Sequence, residues 1–499
     1  MSKIKKRLKR QGPITTIIFL TLLIGLISFI FNLIKISGNT TEAGTLETTL
    51  VTVNNIFSKD GIKYLLNNSV INFQLMKPLI YLIMSLIATS ILESSGLLNH
   101  IISPLKKVRP YFITMITVLV SIVLSFIGDY SYIILFPMVS SIYKILGRNP
   151  LLGIITSFIG VTIGYGSGMI FSYQDYLLSI TTAKSATNID SAFEYNLWSN
   201  LYIMIVSTIV LTIVSTLSIE KLLAKKFKRY DENIELNKSK KALKITTIIF
   251  AVLLAFIIYS IIPGMPLSGM LLNSSEHEYI AKLFGDTSAF GNGLMLIIVA
   301  ISVICSFVYG RISGNIRNTN DYTHSLTQSF ENTGYILVLL FFASIMLGLL
   351  EWSNIPTVIG ANIVDFVGSL NFNGTLLIII AFISIVIISI IMPSTITKWN
   401  IVAPVYVPLL MRANITPAFT QTIFMSSDAI GKCFSPVYIY LIIMIGFLYK
   451  QDKQYNASLF GLMKTLMPII LLLLGTYIIL VLGWYLIGLP IGINASIIM

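Results

Sequence analysis

Apolar runs about as long as a bilayer is thick leave a chain very few folds. Ile14–Phe31, Pro78–Leu92, Ile248–Ile262, Leu376–Ile391 and Met467–Ile487 approach or exceed the roughly 20 residues that span about 30 Å of hydrocarbon. Inside a bilayer every backbone N–H and C=O needs a partner within the protein, so such runs fold as helices. Only 11% of the 499 residues are charged and 55% are hydrophobic, where soluble domains carry about 25% charge. The expected class is an all-α integral membrane protein. No signal-peptidase site follows the first run, which therefore reads as a retained anchor.

The net charge of +13 would suggest nucleic acid in a soluble protein, but its distribution argues otherwise. Lys3 to Arg10 holds six basic residues and Lys221 to Lys244 holds nine, all between apolar runs. That is the asymmetry of cytoplasmic loops under the positive-inside rule. No segment outside the apolar runs is long enough to build a basic nucleic-acid surface. The expected surroundings are the lipid bilayer of the cell (inner) membrane, with no nucleic-acid partner. Cys305 and Cys433 lie inside apolar segments, so no disulfide framework is legible. His100, His277 and His324 lack metal-ligand spacing, and there is no Walker-type phosphate loop. No cofactor or metal is expected, and an ion gradient is the expected energy source.

Loop charge, with the amino terminus inside, predicts nine crossings. They fall at about Pro13–Ile34, Pro78–Leu98, Leu151–Leu178, Trp198–Leu217, Ile245–Ile262, Leu294–Val308, Gly334–Trp352, Pro417–Tyr449 and Met467–Leu489. The polar stretches Ser37–Asn72, Thr181–Tyr195 and Ser353–Asn373 are expected outside. Tyr111–Phe126 and Tyr132–Leu146 are short for full spans. Loop signs balance whether or not they cross, but a hairpin turning at Gly128–Ser131 suits their length. A second pair, Leu376–Ile391 and Ile401–Leu410, flanks Pro393–Trp399. After each pair comes a basic connector and a proline-initiated helix. Arg148-Asn149-Pro150 is matched by Arg412-Ala413-Asn414 and then Thr416-Pro417. The first helix is expected to break at Gly164–Gly168 and the second at Ser426–Lys432. One copy enters from each side, so the expected fold is nine transmembrane helices plus two re-entrant hairpins, an inverted repeat with two discontinuous helices. Secondary transporters use this plan to bind solute near the midplane; a plain bundle with glycine kinks is the alternative. The expected segments are 1–72 (anchor helix and external loop), 73–218 (first repeat, hairpin 111–147), 219–333 (basic loop and two linking helices) and 334–499 (second repeat, hairpin 375–412).

Pro393–Pro408 reads Pro-Ser-Thr-Ile-Thr-Lys-Trp-Asn-Ile-Val-Ala-Pro-Val-Tyr-Val-Pro. This resembles the signature of the p-aminobenzoyl-glutamate transporter (AbgT) family, a Ser/Thr–Lys–Trp turn leading into Ala-Pro-Val-x-Val/Ile-Pro. Gly128-Asp129-Tyr130, Pro137, Gly147-Arg148-Asn149-Pro150, Gly153 and Asp175-Tyr176-Leu177-Leu178 add to the likeness, as does the spacing Trp399, Pro417, Asp428, Pro436. The resemblance spans nearly the whole chain. It implies a homodimer, secondary transport, and a folate precursor or a sulfonamide-like efflux substrate. Around the second break the family pattern resembles Arg-x-Gly-Asp-Ser-x-Thr-Asn. Here Met425, Ser427, Asp428, Ala429, Gly431 and Lys432 occupy it, without the arginine or the asparagine, and Gly168 stands where the family commonly has Asn.

Asp428 and Lys432 are candidate substrate-binding residues, because an unpaired intramembrane charge costs at least about 2.5–3.5 kcal/mol and is kept for a use. The competing reading has Lys432 snorkelling or neutralising Asp428 for structure alone. Trp399 offers a flat face and an indole N–H, with Lys398, Ser394, Thr395 and Thr397 beside it and Pro417 in the same motif. Gly164, Gly166 and Gly168 would free amides for an anion. Asp175, a carboxylate in a low-dielectric cleft, is the candidate proton carrier; an interfacial helix-end charge is the alternative. Asp129 is expected to cap the next half-helix. The partners expected are a small organic anion and a coupling proton or Na⁺, with exchange of another carboxylate or amino acid without Na⁺ as the alternative. A passive channel would need a ring of like residues, and an enzyme a nucleophile with its base or a metal cluster; neither is visible.

Overall fold

The computed structural model describes residues 12–45, 47–230, 236–370, 372–453 and 458–499. The basic run Lys3–Arg10 and residues 231–235 of the second basic cluster lie outside them. Helix α1 (Pro13–Ile34) starts on a proline, whose missing N–H would be unpaired there in any case. The polar stretch after it folds: β1 (Ser37–Thr41) and β2 (Thr48–Thr52) pair antiparallel, and α2 (Lys59–Gln74) follows, capped by the Ser58 hydroxyl. Next come α3 (Lys77–Ser94) and the short α4 (Leu97–Ile102). The first hairpin is α5 (Pro110–Leu124) with α6 (Tyr130–Ile145). The first broken helix is α7 (Pro150–Gly164) with α8 (Tyr173–Ala186). A linking set, α9 (Leu201–Ser218), α10 (Lys240–Ile261), α11 (Tyr279–Phe284), α12 (Ala289–Ser313) and α13 (Thr319–Thr327), leads to α14 (Gly334–Trp352) and α15 (Ile355–Gly368). The second hairpin is α16 (Gly374–Ile391) with α17 (Thr395–Arg412), the second broken helix α18 (Pro417–Cys433) with α19 (Ile439–Gln451), and α20 (Leu459–Ile487) closes the order.

Nine helices among the described residues are long and apolar enough to cross a bilayer. That is the expected number, but length and composition select a different set. Pro110–Ile127 and Gly374–Ile391, both hairpin arms, are among them. The broken helices are not, because each is cut into pieces of 13 to 17 residues.

The two halves repeat each other residue for residue at the places that matter. Pro150 and Gly164 are fourteen positions apart, as are Pro417 and Gly431; Pro137 precedes Pro150 by thirteen, as Pro404 precedes Pro417. Each glycine does the same work. Helix α7 lies on α5 where a Cβ on Gly164 would strike Ser125, and α18 lies on α16 where a Cβ on Gly431 would strike Ser389. The halves also interlock: α18 packs on α7 and α8, α17 on α8, and α19 on α7. Gly166 allows the closest crossing, since a side chain there would meet the Met425 carbonyl and the Ser426 Cα at 2.8 Å.

Three expectations about elements need correction. The second break is not at Ser426–Lys432, which is helical; α18 runs on to Cys433 and the break is 434–438. Pro436 sets it, since it has no N–H and disfavours helix in the residue before it. Within the helix the Ser427 hydroxyl is satisfied by the preceding turn, donating to the Ile423 carbonyl at 2.7 Å. Helix α17 begins at Thr395, so Lys398 and Trp399 sit on its first turns rather than in a tip loop. The stretches read as external loops hold the β-ribbon, α2 and α15, and the ribbon docks on α15 through Asn362, which donates to the Ser37 carbonyl at 2.8 Å.

Candidate functional site

The hairpins meet tip to tip. Asp129 from the first, and Pro393, Ser394, Thr395 and Ile396 from the second, line one cavity of about 300 Å³. Lys432 and the residues just past the second break, Val437, Tyr438, Ile439 and Tyr440, complete the wall with Gln174 and Leu347. A cavity of this size lies at the lower end of small-molecule sites, which span about 300–1,000 Å³.

Behind the wall lies a buried charge cluster drawn from three helices. Asp428 is on α18, Lys432 one turn further along it, Lys398 on the first turns of α17, and Ser389 near the end of α16. Asp428 Oδ1 accepts from Lys398 Nζ, with Ser389 Oγ 3.0 Å away. Its Oδ2 accepts from Thr395 Oγ1 at 2.7 Å and lies 3.2 Å from Lys432 Nζ. The Lys432 ammonium also donates to Thr395 Oγ1, and Lys398 Nζ to Ser389 Oγ at 2.7 Å. All five side chains that carry or bridge charge here, Lys398, Asp428, Lys432, Thr395 and Ser389, are buried. Two ammonium groups thus face one carboxylate, leaving an excess positive charge inside the protein. A buried charge is tolerated when paired and fully hydrogen-bonded; here the pairing is complete for the acid but not for the bases.

The excess is directed at the cavity. Lys432 Nζ sits 4.4 Å from the centroid of the Tyr165 ring and 5.9 Å from that of Tyr438, within cation–π range. The Tyr165 hydroxyl donates to Asp129 Oδ1 at 2.7 Å. One aromatic ring therefore bridges the basic wall and the acidic tip. Tyr165 and Lys432 are each the residue after the matched glycines Gly164 and Gly431, so the repeat brings equivalent positions of the two halves face to face. Tyr132 stacks on Tyr440 with centroids 4.5 Å apart, and its hydroxyl accepts from Tyr438 at 3.0 Å and donates to Thr162 at 2.9 Å.

Of the residues singled out in the sequence, the structure brings together Ser394, Thr395, Lys398, Asp428 and Lys432. Others lie elsewhere. Trp399 is fully buried behind the cluster; its indole N–H donates to the Leu178 carbonyl and Thr182 Oγ1, both at 3.1 Å, and its ring packs on Phe424. It has no donor left for a carboxylate, and it joins α17 to α8. Thr397 pairs with Ser394 at 2.9 Å, and Pro417 is the first residue of α18, at the helix's far end. The break glycines do not offer free amides. Gly166 N–H donates to the Ile163 carbonyl, and Gly168 N–H to Thr208 Oγ1 at 2.8 Å. The physical reason is that they sit at the carboxyl end of α7, where amides are still paired and carbonyls run short of donors. Asp175 is buried and forms a reciprocal capping box with Ser172 at the start of α8, its Oδ2 accepting from Ser172 N at 2.8 Å. It lines a small polar void with Gly164, Tyr165 and Ser167, apart from the main cavity. Asp129 makes no side-chain cap; its Oδ1 instead accepts from the Tyr165 hydroxyl.

Sequence reasoning missed the tyrosines and Ser389. For the tyrosines a signal was present, since Tyr165 sits inside the glycine run and Tyr438 and Tyr440 lie two and four residues after Pro436; Ser389 is matched to Ser125 only by the glycine contacts of the folded helices. Among the described residues no group of His, Cys, Asp and Glu is arranged to hold a metal ion, and Cys305 and Cys433 are unpaired.

Comparison with known proteins follows the same lines. The profile of the AbgT putative transporter family matches residues 7–499. The p-aminobenzoyl-glutamate transport protein of Escherichia coli (strain K12) is 25% identical over 495 residues, covering 97% of this chain and 94% of that protein. Two solved structures align along most of their length. The YdaH transporter of Alcanivorax borkumensis aligns with 23% identity and a TM-score of 0.49, over 97% of this chain and 100% of that one. MtrF of Neisseria gonorrhoeae, described as illuminating a class of antimetabolite efflux pumps, aligns with 24% identity and a TM-score of 0.48, over 97% of both chains.

Proposed function

This chain belongs to the AbgT transporter family, and from that premise we propose that it is a secondary transporter of a small organic anion carrying an aromatic amine or a similar donor. One observation carries the reading: the cavity between the hairpin tips has an excess ammonium, Lys432, on one wall and a carboxylate, Asp129, on the other. A solute carboxylate directed at Lys432 completes the charge balance of the buried cluster. A donor N–H at the other end satisfies Asp129, and a ring between them lies along Tyr165, Tyr438 and Tyr440. A p-aminobenzoyl-glutamate-like solute has that order of groups, and a sulfonamide has much of it. Other carboxylates or amino acids fit the charges but leave the aromatic wall bare.

Coupling follows from the same cluster. Both oxygens of Asp428 are already partnered by ammonium groups and Thr395, so a sodium ion finds no free oxygen on Asp428. In this reading Lys398 and Lys432 stand where a coupling cation would, and transport uses protons, with Asp175 as carrier, or solute exchange. The basic end of the bundle faces the cytoplasm, in the cell (inner) membrane.

The test is counterflow in proteoliposomes with labelled p-aminobenzoyl-glutamate. Trans-acceleration by the unlabelled compound is expected, and it would be weaker for benzoate, which lacks the amine, and absent for the uncharged diamide. Equal acceleration by the diamide would overturn the role of Lys432.

A further inference from the structure

A second concave site lies at the other end of the first hairpin, about one helix length from the tips. A cleft of about 1110 Å³ opens where α5 begins, α6 ends and the segment after α9 folds back. Its walls carry Lys106, Lys144, Arg148, Lys225, Lys228 and Arg229, against a single described acid, Glu220. Arg148 is committed: it donates to Glu220 Oε1 at 2.5 Å, to Thr114 Oγ1 at 2.7 Å and to the Pro110 carbonyl at 2.8 Å, pinning both arms of the hairpin to the end of α9. The other five cations form no ion pair among the described residues. Asp231, Glu232 and Glu235 follow in the sequence and lie outside those residues.

The cleft does not end at the polar surface. It shares Val108, Ile113 and Leu146 with a groove of about 210 Å³, apolar but for Thr117, that runs up between the two hairpin arms. Ile116, Val120, Ile134 and Met138 line it, and Ile116 and Val120 are exposed to the surroundings of the bundle. A basic basin joined to an apolar channel at membrane depth has the two-part chemistry of one kind of ligand. Interfacial basic pockets between transmembrane helices attract lipid phosphates at about 1 kcal/mol per cation, roughly a fivefold change in affinity each.

We propose that this cleft and groove together bind one anionic phospholipid, its phosphate among Lys106, Lys144, Lys225, Lys228 and Arg229 and an acyl chain between α5 and α6. The lipid seats on both arms of a hairpin whose tip lines the solute cavity, so its occupancy bears on how freely that hairpin moves. Charge complementarity selects the occupant: a zwitterionic lipid brings its own cation into an already basic basin, and a soluble anion leaves the groove unfilled. The inference stands independently of the transport reading.

The experiment is native mass spectrometry of the full-length protein released from nanodiscs that contain equal amounts of phosphatidylglycerol and phosphatidylcholine. Wild type is expected to retain phosphatidylglycerol at least tenfold over phosphatidylcholine. Lys225→Gln/Lys228→Gln/Arg229→Gln, all at exposed positions, should abolish that preference while keeping the same elution volume, since three cations at about fivefold each exceed it. Val120→Trp, which fills the groove and leaves the charges alone, should also reduce retention. In parallel, thermal stabilisation by phosphatidylglycerol should exceed that by glycerol phosphate. Equal retention of the two lipids by wild type would overturn the proposal. So would unchanged retention in the triple variant, or stabilisation by glycerol phosphate that matches the lipid and ignores Val120→Trp, which would assign the basin to a water-soluble anion.

Discussion

Asp428 holds the centre of the molecule together because it is the only described acid among two ammonium groups and their bridging hydroxyls. Removing one partner from a buried ion cluster costs about 3–5 kcal/mol, since the remaining charges lose their compensation. Asp428→Asn should therefore lower the yield of monodisperse protein and its melting temperature. Adding Lys398→Met, which removes one of the two orphaned charges, should restore the melting temperature but not transport. In the proposed reading Lys432 serves transport more than stability. Lys432→Asn leaves Asp428 paired with Lys398 and vacates the second cation position, so transport should weaken or acquire a Na⁺ requirement. Flux of wild-type protein measured with Na⁺ replaced by choline at constant pH checks the premise: it should persist, and its loss would sink the stand-in argument. Asp175→Asn is a clean probe of the proton, because an asparagine oxygen still accepts the capping-box bonds from Ser172. Normal folding with loss of pH-driven uptake is the expected result; full pH-driven uptake would reduce Asp175 to a helix cap.

At the level of elements, the fold rests on one contact used twice. A glycine near the end of α7 or α18 lets it lie against a serine in the facing hairpin arm, Gly164 on Ser125 and Gly431 on Ser389. Overpacking such a contact costs about 1–3 kcal/mol. Gly164→Ala should lower the melting temperature, and Ser125→Gly should recover part of the loss; a melting temperature unchanged by Gly164→Ala would show that the contact is loose. The same pairs shape the cavity, because each glycine precedes the residue that its helix end presents, Tyr165 in one half and Lys432 in the other. Helix α17 adds the third component. It starts early enough to put Lys398 on the cluster and Trp399 on α8, and the Trp399 bonds to Leu178 and Thr182 tie the halves together.

At the scale of the whole molecule, basic residues from three separate segments, Lys106, Lys144 with Arg148, and Lys225–Arg229, meet at one cleft, while the two hairpin tips meet at another. Sidedness is the prediction at this scale. The native cysteines Cys305 and Cys433 are buried, so single exposed cysteines report cleanly. Ser369→Cys should react with an impermeant maleimide added to intact cells, whereas Lys228→Cys should react only after permeabilisation. The reverse pattern would invert the orientation and with it the placement of the basic basin.

Apolar length, loop charge and paired proline and glycine positions determined the membrane class, the number of crossings, both hairpins and the first break, because each depends on local composition measured against a fixed bilayer thickness. The motif around Pro393–Trp399 carried the family. Two things were decided elsewhere. The end of α18 was misread because serine and glycine weaken a helix only where packing does not support it, and here the facing hairpin does; Pro436, four residues past Lys432, is the local signal that prevails. The site itself was legible as residue types but not as an arrangement. Lys398, Asp428 and Lys432 could be listed from the sequence, yet whether Lys398 or Trp399 faced Asp428 turned on the single residue at which α17 begins. In a helix neighbouring residues point about 100° apart, so that choice sends one side chain to the charge cluster and the next to the opposite half of the repeat. Only the packed tertiary structure, in which two hairpin tips and two helix ends converge on one point, makes it.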